Sequence, residues 1–149
     1  MTNLNEESFG IDLIPKSLDD VIRRNRDQLK LERVSLNDLV HLNSNLKFTC
    51  INGVIQDAFF YKRVISAHPI EHVFLVGFIQ NDEGKNAYHT SPIKYFDKQN
   101  NAVLTASGSY YLIESYLIGE PKLDFLLHIC SVAHRDNWGA FFGVLEVFY

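Results

Sequence analysis

The sequence predicts an α+β fold: two N-terminal helices, an antiparallel curled sheet of five to seven strands, and a C-terminal helix returning into a final strand. Three observations predict it. Two Ser-x-x-Asp signals, Ser17 with Asp20 and Ser35 with Asp38, each precede a short apolar periodicity. From Leu46 onward, β-branched and aromatic runs lie between turns rich in Asn, Asp and Gly. The 11 Phe and 7 Tyr in 149 residues also favour sheet.

Residues 1–16 read as an N-terminal arm, polar at first, then carrying Phe9, Ile11, Leu13 and Ile14 before Pro15 ends it. Residues 17–149 read as one α+β domain, and a chain of this length buries about two-thirds of its unfolded surface. In the first expected helix, Leu18, Val21, Ile22 and Leu29 share a side. The second carries Leu36, Leu39, Val40 and Leu42 and stops at Asn43-Ser44-Asn45.

Lys47–Ile51 and Val54–Tyr61 flank Asn52-Gly53, a pair that suits a type I′ hairpin turn. After a connection around Ala67-His68-Pro69, His72–Gln80 is apolar on both faces and is the expected central strand. Asn81-Asp82-Glu83-Gly84 turns the chain back. The block from Tyr88 to Ile113 then reads as two strands joined at Gln99-Asn100-Asn101. Pro121 marks the start of a broadly apolar helix with Leu123, Leu126, Leu127, Cys130, Val132 and Ala133, stopped by Asn137 and Gly139. Ala140–Tyr149 closes the chain as a strand that must be paired or covered.

A net charge of −4 argues against a protein that coats nucleic acid. The N-terminus lacks a cationic region followed by an apolar run, and no apolar stretch approaches the roughly 18 residues of a membrane span. Cys50 and Cys130 lie far apart without a C-x-x-C spacing and are expected to be reduced and buried. The expectation is a cytoplasmic chain with no membrane partner and no cofactor.

Several groupings carry chemical types without the spacing that chemistry needs. On a helix, Cys130 and His134 share a face while His128 points elsewhere, so H-x-C-x3-H falls short of a zinc set. His68 and His72 are separated by Pro69, which denies them a common helix face. His134-Arg135-Asp136-Asn137 lacks the Asn spacing and glycine-rich loop of a kinase catalytic loop. Arg23, Arg26, Lys30 and Arg33 would form a basic stripe on the first helix, read as a solvated face or as a contact for an acidic partner such as nucleic acid. The densest polar cluster is His89, Thr90, Ser91, Thr105, Ser107 and Ser109, beside Tyr88, Tyr95, Tyr110 and Tyr111. Its hydroxyls either pair across the ladder or line a groove for an anion or a peptide backbone.

Thr90-Ser91-Pro92-Ile93, the acidic turn residue Asp97 and Val103–Leu112 (VLTASGSYYL) follow the pattern T-S-x-[IV], then V-x-T-x-x-S-x-Y-x-L, except that Gly108 stands where the pattern has Ser. This hairpin resembles small bacteriophage and mobile-element accessory proteins, with Pro92 as a departure because it removes a ladder donor. The resemblance implies a non-enzymatic binder, such as a phage-encoded inhibitor that blocks a host protein or sequesters an anionic nucleotide ligand. The expected contacts are His89, Thr90, Ser91, Thr105, Ser107, Ser109, Tyr110 and Tyr111. Three alternatives stand beside it. One is a nucleic-acid accessory protein using the basic stripe, and another is a small nucleotide enzyme using His89 or His134. The third is a homo-oligomeric structural subunit assembled through its aromatic C-terminal end.

Overall fold

β2 (Gly53–Ile65) organises the molecule: at 13 residues it is long enough to take three partners. The computed structural model describes residues 14–47, 50–68 and 70–146; residues 1–13 of the expected arm and the end of the expected last strand lie outside these. Along one edge β2 pairs antiparallel with β3 (His72–Asn81). Along the other it pairs first with β7 (Tyr110–Ile113), in parallel, and then with β1 (Leu29–Val34), antiparallel. With β4 (Gly84–His89), β5 (Ile93–Asp97) and β6 (Ala102–Thr105), the seven strands run β4-β3-β2-β7-β6-β5, and β1 joins the end of β2.

The sheet has to curl. A flat six-strand path would place its outer strands about 24 Å apart. Yet β4 and β5, which end the path, are joined only by Thr90–Pro92, and the four Cα steps across that link reach about 15 Å. One core fills the inside of the curl, with Ile55, Phe60, Leu75, Phe96, Val103 and Ile113 among its residues. The other lies between the outer face of β1–β3 and helix α1 (Leu123–Arg135), around Phe59, Tyr61, Phe74, Phe125 and Ile129. β3 feeds both: Phe74 and Val76 point to the helix side, Val73 and Leu75 into the curl. Its two-sided burial is what the sequence predicts, although β2 rather than β3 is the hub.

The expected architecture needs correction at four places. The first N-terminal helix is only a 3-10 turn, Leu18–Val21. Asn25 adopts φ 54°, which ends helical continuation, and the amides of Arg23 and Arg24 donate to Phe142 O instead. Leu29, assigned to that helix, opens β1, where Leu29 and Leu31 are buried and Lys30 is exposed. The second is a 3-10 helix, Leu36–Leu42, whose Asp38 carboxylate accepts from the Ser35 amide and hydroxyl as its capping signal implies. Asn52-Gly53 is no hairpin turn: Asn52 continues beside β7, donating its amide to Tyr110 O at 2.7 Å. A side chain at Gly53 would sit 2.6 Å from Ile79 Cδ1, so glycine serves close packing there. The sheet is therefore mixed rather than antiparallel.

The final strand is the fourth correction. Gly139–Phe142 forms a short helix, α2, because Asn137 at φ 66° stops α1 and leaves room for one more turn, which Gly143 ends at φ 69°. Phe142 and Val144 are buried from this segment without strand pairing, while Phe141 is exposed.

Candidate functional site

Strand parity divides the sequence-predicted cluster. Consecutive residues on β4 point to opposite faces, so Tyr88 enters the curl and His89 the helix-side core. His89 is 7% exposed. Its Nδ1 lies 2.7 Å from Thr90 O and its Nε2 2.5 Å from Tyr61 Oη. A carbonyl only accepts, so Nδ1–H donates to it and Nε2 accepts from the Tyr61 hydroxyl. Burial holds the imidazole neutral, with its pKa pushed down to about 3, and raises that of Tyr61 far above the usual phenol range. A base this deep, bonded at both nitrogens, is a structural strut.

Inside the curl the Tyr88 and Tyr111 hydroxyls meet at 2.5 Å with rings 5.5 Å apart, and burial pushes the Tyr88 pKa up to about 12. Thr90 accepts from the Leu75 amide at 3.1 Å, extending the β3–β4 ladder past its end. The remaining hydroxyls satisfy one another in the β6–β7 turn. Ser91 donates to Ser107 at 3.0 Å, Ser107 lies 3.0 Å from Thr105 Oγ1, and the Ser109 amide donates to Thr105 at 3.2 Å. These bonds tie the β6–β7 turn to itself and to Ser91 in the β4–β5 link, so the hydroxyls of Ser91, Thr105 and Ser107 bond one another rather than pairing across a ladder.

The outer face carries a different set, in which Tyr95 is exposed and Leu104 and Tyr110 are half-buried. The β5–β6 register shifts between Ile93 and Tyr95, so a bulge turns Tyr95 outward opposite Leu104. Leu104 in turn sits opposite Tyr110 on β7. The row Tyr95–Leu104–Tyr110 therefore crosses three strands on the outer face of the curl, with Leu112 and Val54 adjacent in the next register pair. Tyr95 is 41% exposed and Val54 42%. Lys94 Nζ stands 5.8 Å from the Tyr95 ring. The helix-side core draws no residue from β5, β6 or β7, so among the described residues no helix roofs this face. The sequence names Tyr95 and Tyr110 but does not pair them; the bulge that brings Tyr95 around has no residue signature.

The basic stripe does not exist as a face. Arg23 pairs with Asp20 at 3.4 Å, Arg26 donates to Asp19 O at 3.1 Å, and Lys30 extends toward Glu32 at 3.8 Å. Arg33 donates to Leu117 O and Gly119 O while lying over Phe59. The cause is the loss of the helix: with Lys30 and Arg33 three apart on a strand, their side chains leave opposite faces.

No family model, curated protein or solved structure matches this chain. The chemistry rests on its own side chains. Cys130 is fully buried, and burial pushes its thiol up to about 11. His134 Nε2 lies 3.0 Å from Leu145 O, which fixes it between α1 and the C-terminal segment. Among the described residues no group of three His, Cys, Asp or Glu side chains converges on a metal-binding geometry, and no helix is long and apolar enough to cross a membrane.

Proposed function

We propose that this chain is a binding protein that seats a partner protein on the outer face of β5–β7, without covalent chemistry of its own. The observation that carries this reading is the register-aligned row Tyr95–Leu104–Tyr110, large apolar and aromatic side chains on a sheet face that no described helix covers. Such a row, with the Lys94 ammonium beside Tyr95, has the aromatic centre of a protein interface. A nucleic-acid surface would need clustered cations, and Arg23, Arg26, Lys30 and Arg33 are dispersed and engaged. The inhibitor role implied by the hairpin resemblance belongs to this proposal, with a host protein as the partner blocked.

The test is site-directed photo-crosslinking. A benzophenone side chain at position 95 is expected to trap one partner in saturable fashion, and Leu104→Glu to abolish the trapping. The same group at Asp82, on the β3–β4 turn, is expected to trap nothing specific. Identical products from both positions would remove the proposal.

A further inference from the structure

Arg63 occupies an apolar row. Phe59, Tyr61, Arg63 and Ile65 alternate on the helix-side face of β2, and the neighbours of Arg63 in register are Leu31 and His72. Its guanidinium carbon is 5.2 Å from the Phe74 ring centroid and 5.3 Å from that of Trp138, so the cation lies against two aromatic rings.

Those contacts leave the donors uncommitted. The five N–H bonds of a guanidinium point outward in its plane, where a ring stacked on its face accepts none of them. Arg63 Nε and Trp138 Nε1 are both buried without a hydrogen-bond partner. The nearby carboxylates are taken: Glu32 and Glu71 by Lys62 at 3.4 and 3.7 Å, Asp136 by Arg135 at 3.4 Å. Nor does Arg63 cap α1. The carbonyls of Val132, Ala133 and His134 accept from the amides of Asp136, Trp138 and Asn137. A stacked, partly buried cation with unused donors is an arrangement that calls for an acceptor.

From this juxtaposition of an unpartnered guanidinium with the Phe74 and Trp138 rings, we infer that Arg63 is the anchor of a binding site for a small carboxylic acid. A carboxylate is flat and pairs with the guanidinium fork in one plane, so it meets the donors in that plane while the ring contacts on the guanidinium faces are kept. A tetrahedral phosphate directs oxygens out of that plane toward the rings and fits less well. His72, stacked on Phe74 with centroids 6.4 Å apart, borders the same edge and adds an imidazole N–H. None of these residues belongs to β5, β6 or β7, so this site and the docking face stand or fall separately.

The chain has one tryptophan, Trp138, so its fluorescence reports on the site directly. Titration with acetate and succinate is expected to give a saturable change. Arg63→Gln, and Arg63→Lys, which keeps the charge but loses the fork, are each expected to weaken binding at least tenfold. Inorganic phosphate and chloride at matched ionic strength are expected to bind at least tenfold more weakly than succinate. Since the variants remove a cation from the edge of the core, the Arg63 Nε–H proton resonance of the unaltered protein provides a second readout, expected to move downfield with carboxylate. No saturable change, an equal response to phosphate or chloride, full binding by Arg63→Gln, or an unmoved Nε–H resonance would each overturn the site.

Discussion

One peptide bond separates Tyr88 from His89, yet the two residues end in different cores. Grouping residues by nearness in sequence placed both in a single contact surface; parity along β4 separates them. The sequence does hold the parity of β4, but the partner of His89 is Tyr61, 28 residues earlier, which no local pattern announces. The pairing has a pH consequence. The folded His89 pKa is about 3 against 6.5 for a free imidazole, so between these values only the unfolded chain takes the proton. Stability is therefore expected to hold above about pH 6.5 and to fall by as much as about 1.4 kcal/mol per pH unit below it. Burial moves His72 and His128 the same way. Denaturant unfolding at pH 7 and pH 5 measures the slope, and His89→Gln is expected to flatten it. Tyr61→Phe leaves Nε2 of His89 buried without a donor and is expected to cost about 1–3 kcal/mol in the same assay.

Among the elements, β1 is the instructive miss. Leu18, Val21, Ile22 and Leu29 fit helical spacing, while Leu29-Lys30-Leu31 fits strand alternation equally well. Local pattern cannot arbitrate between them. The left-handed Asn25 and the pairing of β1 along β2 decide for the strand. Signals that describe a boundary transferred better: Asp38 engages Ser35, and Asn137 stops α1. For β3 the sequence shows a two-sided strand but not why Gly77 interrupts it. A Cβ at Gly77 would lie 2.3 Å from Ile55 Cγ2 and 2.8 Å from Gln56 O, and a backbone oxygen in a paired strand has little room to move. Gly77→Ala is expected to destabilise by about 1–3 kcal/mol, read as a lower midpoint in thermal or denaturant melts. Gly108→Ala meets no such atom and leaves the packing intact, but its φ of 89° keeps the substitution strained.

At the scale of the molecule, the two cores share strands. β2 and β3 contribute to both the helix-side cluster and the interior of the curl, so neither cluster can dissolve while the other stays packed. Unfolding is expected to be a single transition, with Trp138 fluorescence from one core and near-UV dichroism of the Tyr88–Tyr111 pair from the other sharing one midpoint. Separate midpoints would show that the curl and the helical layer melt independently. The sequence marked β2 and β3 as strands and a mixture of helix and sheet, but not the mixed sheet, the strand β1 or the missing N-terminal helices. The closure that relates them was hidden, because it depends on pairing between residues far apart.

That closure rests on a parallel seam. β2 and β7 pair over Gly53–Ile55 and Tyr111–Ile113, with Asn52 and Tyr110 bonded just before, 58 residues apart in the chain, and the contact runs on past β7 through the Ala58–Tyr116 bridge. On either side lies a run of strands whose antiparallel pairs are closed by short connections, β2–β3–β4 and β5–β6–β7. Local pairings of that kind carry little loop-closure entropy, whereas the seam carries a large one. The molecule is thus two meanders joined along one parallel contact, and forming that contact is expected to be the step that times folding.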